Sequence, residues 1–121
     1  MHNKPFVLVV EDDDRLRKVI ATNLSARGYI VFQAGTFSQA VDHFASGPEL
    51  IILDINLPDA TGWDLALWAK TMTGMPPTIV ISGSHPDRRH MARFTPTSFL
   101  EKPFDIRQLM GLVEMYTPAA T

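Results

Sequence analysis

With 121 residues, 45% of them apolar, and a formal net charge of −2, the chain has the size and composition of one globular domain with a packed core. That balance offers no basic surface for nucleic acid, and no apolar stretch approaches the roughly 20 residues needed to cross a bilayer, so neither partner is expected. The lack of cysteine excludes disulfides, zinc–thiolate sites and thiol catalysis together, and a start without a signal-peptide pattern makes the cytoplasm the expected location.

Phe6 to Val10 is an apolar run that predicts a first strand, and it ends in the acids Glu11, Asp12, Asp13 and Asp14. Leu16, Ile20 and Leu24 then recur every four residues, which predicts an amphipathic helix from Asp14 to about Arg27, capped by Asp13 or Asp14 and stopped by Gly28. Tyr29 to Phe32, rich in β-branched and aromatic residues, predicts a second strand. Thr36 and Gln39 have the spacing of a capping box, opening a helix that carries Ala40, Val41, Phe44 and Ala45 and ends at Ser46-Gly47-Pro48. Leu50 to Leu53 is too short for a helix and unbroken in its apolar character, so it predicts a strand buried on both faces and ended by Asp54. Trp63 to about Met72 predicts a third helix, closed by Gly74 and Pro76-Pro77. Trp63 and Trp68, five residues apart, do not share a face, so one is expected to be packed and the other partly exposed. Thr78 to Ser82 predicts a fourth strand ending in a hydroxyl. The next stretch has a weak pattern, with a short or irregular helix expected from near Asp87. Ser98 to Leu100 predicts a brief fifth strand, followed by Lys102-Pro103, and Asp105 with Gln108 caps a last helix whose apolar stripe is Ile106, Leu109, Met110 and Val113, with Met115 as a candidate extension.

Five strands alternating with five helices through short connections predict right-handed crossovers and a parallel sheet covered on both faces, a doubly wound α/β three-layer sandwich. One domain is expected over residues 1–121, with 1–4 and 117–121 as terminal tails.

In such a sheet ligands gather at the carboxyl ends of the strands, and here those ends carry chemistry. If the first and third strands are neighbours, Glu11, Asp12 and Asp54 converge, and carboxylates that close repel one another unless a positive group lies between them. A hard divalent cation such as Mg2+ (or Mn2+), which prefers oxygen ligands, is the most economical candidate. The expected shell is Asp12 and Asp54, with Glu11 through water and the backbone carbonyl of Asn56 completing it. Asp13 and Asp14 are read as helix-capping acids rather than ligands. With the Ser82 hydroxyl and the Lys102 ammonium on the same rim, the set suits phosphoryl transfer, Asp54 being the nucleophile and Ser82 and Lys102 contacting phosphoryl oxygens.

Together these segments resemble the receiver domains of two-component response regulators over essentially the whole chain. Val7 to Asp13 resembles the first strand and acidic pair, and Leu53 to Gly62 the phosphoacceptor strand and loop. Ile81-Ser82-Gly83 resembles the switch hydroxyl, and Phe99 to Phe104 the lysine segment. The resemblance implies a flavodoxin-like fold with strand order 2-1-3-4-5. It also implies phosphorylation of Asp54 by a histidine kinase or histidine phosphotransfer protein, autodephosphorylation, and a switch formed by Ser82 and Phe99. The output implied is an altered protein-interaction surface, read by a downstream protein, a fused effector domain or a phosphorylation-linked dimer. A cis Lys102-Pro103 bond is a further implication. The segment from Ser82 to Lys102 is shorter than is common in the family and basic, with Arg88, Arg89, His90 and Arg93. Two other readings are weaker. A pure interaction module would leave a full set of competent residues unused, and a haloacid-dehalogenase-type phosphatase using Asp12 would lack room for a cap.

Overall fold

The computed structural model describes residues 4–57, 59, 61–72, 74, 76–83, 89 and 96–118. Its strands are β1 (Phe6–Val10), β2 (Ile30–Ala34), β3 (Leu50–Asp54), β4 (Thr78–Ser82) and β5 (Ser98–Glu101). The described helices are α1 (Asp14–Ala26), α2 (Phe37–Phe44), α3 (Gly62–Met72) and α4 (Ile106–Tyr116). All strand pairs are parallel, in the order β2-β1-β3-β4-β5, so the fold is the expected flavodoxin-like doubly wound sheet. The helix expected from near Asp87, with Arg88, His90 and Arg93, lies outside the described residues.

Side chains alternate between two cores. Leu8, Val10, Ile51, Leu53 and Val80 face α2 and α3, where they meet Ala40, Phe44, Trp63, Leu65 and Ala69. Val7, Val9, Leu50, Ile52, Ile79 and Ile81 face α1 and α4, against Ile20, Leu24, Leu109 and Val113. Met115, a candidate for the α4 stripe by sequence, is exposed instead, because two residues past Val113 it has turned off the buried face. Every residue of β1, β3 and β4 is buried, which is why these strands read as continuous apolar runs rather than alternating ones. Trp63 is buried, whereas Trp68 is half-buried and stands edge-on to Phe44 with ring centroids 5.4 Å apart.

Local capping fixes where helices begin. Asp13 is the N-cap of α1 and accepts the amides of Arg15 and Leu16. Asp105 and Gln108 complete a reciprocal capping box on α4. Thr61 and Asp64 make a similar exchange at the start of α3, each side chain taking the other's backbone N–H at 3.1 and 3.2 Å. At α2 the Thr36 hydroxyl accepts Gln39 N–H as expected, but the Gln39 carboxamide turns to the Gly35 amide at 2.7 Å instead of closing the box. The second strand also differs from expectation. It begins at Ile30 and runs through Gln33 to Ala34, because its register against β1 continues to the Val10–Ala34 pair. Thr117, assigned to a tail by sequence, is buried at the end of α4, since its carbonyl accepts the Tyr29 hydroxyl at 2.7 Å.

Candidate functional site

Strand register builds the rim. Val10 pairs with Leu53, so the residues following β1 lie beside Asp54. Asp54 in turn pairs with Ile81, one step before Ser82, and Ser82 with Glu101, one step before Lys102. The chain passes from β1 to β2 on one side and returns as β3 on the other, so Glu11, Asp12 and Asp54 sit at the topological switch point where open sheets bind ligands. The loop after β3 is closed tightly. Gly62 N–H donates to the Ile55 carbonyl at 2.6 Å, and a Cβ on Gly62 would lie 2.5 Å from the Asp54 carbonyl oxygen, so no larger residue fits without moving the backbone that carries Asp54. Asn56 pairs with Thr61 across this loop and donates its amide to Asp54 Oδ1 at 3.1 Å.

Glu11 and Asp54 are almost wholly buried and Asp12 is exposed, yet oxygens of all three lie within 4.8 Å of one another. Each pair of carboxylates at that separation repels by about 3–4 kcal/mol at an effective dielectric of about 20. Lys102 Nζ lies 2.7 Å from Glu11 Oε1 and 3.4 Å from Asp54 Oδ2, so among the described residues this ammonium contacts two of the three carboxyl groups. The shortfall appears in proton affinity. Burial, and then the adjacent Asp54 carboxylate, push the Glu11 carboxyl up to about 8. Burial works against the Asp12 carboxylate too, but interactions with Glu11 and Asp54 and the Lys102 charge outweigh it and hold Asp12 below the ordinary value. Burial also opposes the Lys102 ammonium, and Glu11 and Asp54 more than compensate, holding it above the ordinary lysine value.

The donor set fits a hard divalent cation. It is all oxygen, it carries excess negative charge, and Glu11 Oε1 is buried with no hydrogen bond of good geometry, the Lys102 contact being an ion pair only. Asp13, engaged as a helix cap, and the exposed Asp14, paired with Arg17, stand apart from this set.

Ser82 is buried at the end of β4, and its carbonyl accepts the Lys102 amide at 2.7 Å. The Lys102-Pro103 bond is cis. Phe99 is half-buried in β5 and packs against the core under α2 and α3. A cavity of about 350 Å3 is lined by Leu16, Lys102, Pro103 and Phe104. The fold therefore gathers Glu11, Asp12, Asp54, Asn56, Ser82 and Lys102 on one rim, with Phe99 three residues back along β5. Two residues make contacts to the acid-bearing loops that the sequence does not signal, Arg17, which reads only as a polar position of α1, and Asp59. Arg17 donates to the Glu11 carbonyl, and Asp59 caps α2 from the β3–α3 loop.

Taken together, the doubly wound sheet and an acidic rim beside a lysine define a small α/β domain with a candidate cation site at its switch point. The chain belongs to the response regulator receiver domain family, which matches residues 7–114. Among curated relatives it is 34% identical over 112 residues to the KDP operon transcriptional regulatory protein KdpE of Escherichia coli K12, covering 87% of this chain and 48% of that protein. It is 31% identical to the DNA-binding transcriptional regulator NtrC of a Bradyrhizobium strain, covering 88% of this chain and 23% of that one. The chain thus spans about half or less of the length of these relatives. Among solved structures, the non-phosphorylated HemR receiver domain of Leptospira biflexa superposes with a TM-score of 0.86 at 26% identity, covering 98% of each chain. The response regulator TrrA of Thermotoga maritima, solved in complex with Mg2+ and BeF, has the same fold, with a TM-score of 0.80 at 24% identity over 93% of this chain and 98% of that one.

Proposed function

We propose that the chain is the phosphoacceptor domain of a two-component or phosphorelay pathway, taking a phosphoryl group onto Asp54 from a phosphohistidine of a histidine kinase or histidine phosphotransfer protein. The observation that carries this reading is the charge imbalance at the rim, where among the described residues Glu11, Asp12 and Asp54 cluster beside the Lys102 ammonium. In the transfer an Asp54 carboxylate oxygen attacks phosphorus in line, the O–P bond forms as the N–P bond to histidine breaks, and the imidazole keeps the electron pair. Lys102, already 3.4 Å from Asp54, offsets charge on one phosphoryl oxygen, and the Ser82 hydroxyl donates to another. Asp12 and Asp54, the Asn56 carbonyl and, through water, Glu11 would hold Mg2+ or Mn2+, which supplies neutralisation of phosphoryl charge when bound. The same groups serve autodephosphorylation, with water as the acceptor.

The added charge at Asp54 draws Ser82 toward it and Phe99 follows, which reshapes the β5–α4 surface. A bias of a few kcal/mol suffices to move such a two-state equilibrium from mostly off to mostly on. The surface would then be read by a downstream protein, a fused effector domain or a second copy of the chain. No described helix is long and apolar enough to cross a membrane; the proposed place of work is the cytoplasm. The test is phosphotransfer from a panel of histidine kinases and phosphotransfer proteins in Mg2+. Wild type is expected to gain a phosphoryl group from at least one and Asp54→Asn from none. Transfer to Asp54→Asn at the wild-type level would defeat the reading.

A further inference from the structure

The corner where β2 turns into α2 carries none of the rim acids, yet both acid-bearing loops are tied to it. On one side stands Arg17 of α1, whose side chain is only 16% exposed. Its Nη1 donates to the Glu11 carbonyl at 3.0 Å, Nε to Gln33 Oε1 on β2 at 3.3 Å, and Nη2 to Asp14 at 2.6 Å. The corner backbone passes close beneath it, since a Cβ on Gly35 would lie 3.0 Å from Nη1. On the other side, Asp59 reaches from the middle of the β3–α3 loop to the first turn of α2. Its Oδ1 accepts Phe37 N–H at 2.8 Å and Oδ2 accepts Ser38 N–H at 3.2 Å. These amides hold the Asp59 carboxylate below the ordinary value. Thr36 already caps α2 through Gln39 N–H, so Asp59 satisfies different donors, and in doing so fixes its own loop.

A cation shared between two loops is bound more tightly when the loops are already held at the right separation, because less ordering entropy is lost on binding. We propose that the β2–α2 corner is the brace that sets the spacing of the two acid-bearing loops, with Arg17 and Asp59 as positioning residues for the divalent cation and neither as a ligand. This inference rests on the phosphoacceptor reading above.

The test is calorimetric titration of the 121-residue chain with MgCl2, paired with thermal melting in EDTA and in Mg2+. Loss of one or two hydrogen bonds corresponds to about a three- to tenfold weaker Mg2+ affinity for Asp59→Ala and for Arg17→Ala. Asp59→Asn, which keeps a carbonyl acceptor for one amide, falls between. Arg27→Ala, which removes a guanidinium at the far end of α1, matches wild type. The melting-temperature gain from Mg2+ shrinks in both positioning variants, while phosphorylation by a small phosphodonor returns to the wild-type rate once Mg2+ saturates. If Arg17→Ala does not fold, Arg17→Lys, which keeps the charge and loses the fork, is expected to weaken Mg2+ as well, and the exposed Asp59 arm stands on its own. Variants that melt lower by equal amounts in EDTA and Mg2+, with Mg2+ affinity unchanged, would make the corner purely structural and overturn the inference. A wild-type chain that binds no Mg2+ would remove the phosphoacceptor reading and this inference with it.

Discussion

The sheet carries a buried polar centre at each end, and the two ends settle their electrostatics in opposite ways. At the amino end of β2, the Tyr29 hydroxyl lies 2.7 Å from the Thr117 carbonyl oxygen and 3.0 Å from Glu114 Oε2, two acceptors for one proton. Burial, and then the Glu114 carboxylate, push the phenol up to about 12, so the phenol keeps its proton and donates it at any ordinary pH. It fastens the end of α4 to the start of β2 and needs nothing from outside. At the carboxyl rim, among the described residues, the Lys102 ammonium pairs with Glu11 and Asp54 while Asp12 stands beside them, and a buried Glu11 oxygen lacks a hydrogen bond. Both centres are polar and buried. What marks the rim as a place for a ligand is charge left uncompensated, not burial.

The largest effect is expected from Asp54→Asn, which should abolish phosphoryl acceptance and at the same time raise the stability of the metal-free protein by about 1–2 kcal/mol, because it relieves repulsion at the rim. Urea unfolding in EDTA checks this, and a loss of stability would mean that the rim is as satisfied as the Tyr29 end. The two ends should also titrate in separate windows. Because the folded-state pKa of Glu11 is raised from 4.5 to about 8, the folded protein binds more protons than the unfolded chain between those values, and its metal-free stability should fall as pH rises through that range. The loss should amount to several kcal/mol and shrink in Mg2+, while Mg2+ itself binds more tightly as pH rises. Tyr29, raised from 10.0 to about 12, should cost stability only above that window, as pH rises from 10 toward 12. Gly62→Ala should destabilise by about 1–3 kcal/mol by forcing the Asp54 backbone aside, and should weaken Mg2+ binding in the same step. Tyr29→Phe should cost about 1 kcal/mol of unfolding free energy, read as a lowered denaturation midpoint, and leave phosphorylation untouched, which separates a structural polar centre from a functional one.

The features legible in the sequence were those written in local pattern. The Leu50 to Leu53 run, the acids after Val10 and the Asp105–Gln108 box each lie within a few residues and came out where expected. The parallel order brought Glu11, Asp12, Asp54, Ser82 and Lys102 to one rim because the strand ends carry them there in register. Contacts between distant residues were not legible. Tyr29 reads as a strand residue and Thr117 as a tail, but they meet across 88 positions. Arg17 reads as a polar filler of α1, and its Gln33 partner is 16 residues away; Asp59 reads as a loop acid, and its Phe37 partner is 22 away. Gln39 has the spacing for a capping box, but the Gly35 amide competes for it at 2.7 Å. Local pattern placed the groups that would do chemistry, while the groups that hold the loops apart became visible only once the chain was folded.

The central claim, that the rim holds uncompensated negative charge in order to take up a cation and then a phosphoryl group at Asp54, is tested most directly by treating the chain with a small phosphodonor and mapping the product by peptide mass. The expected product carries one phosphoryl group on Asp54, forms only with Mg2+ or Mn2+ present, and disappears with chelator or with Asp54→Asn. A phosphoryl group on any other residue, or acceptance at Asp54 that is undiminished in chelator, would contradict it.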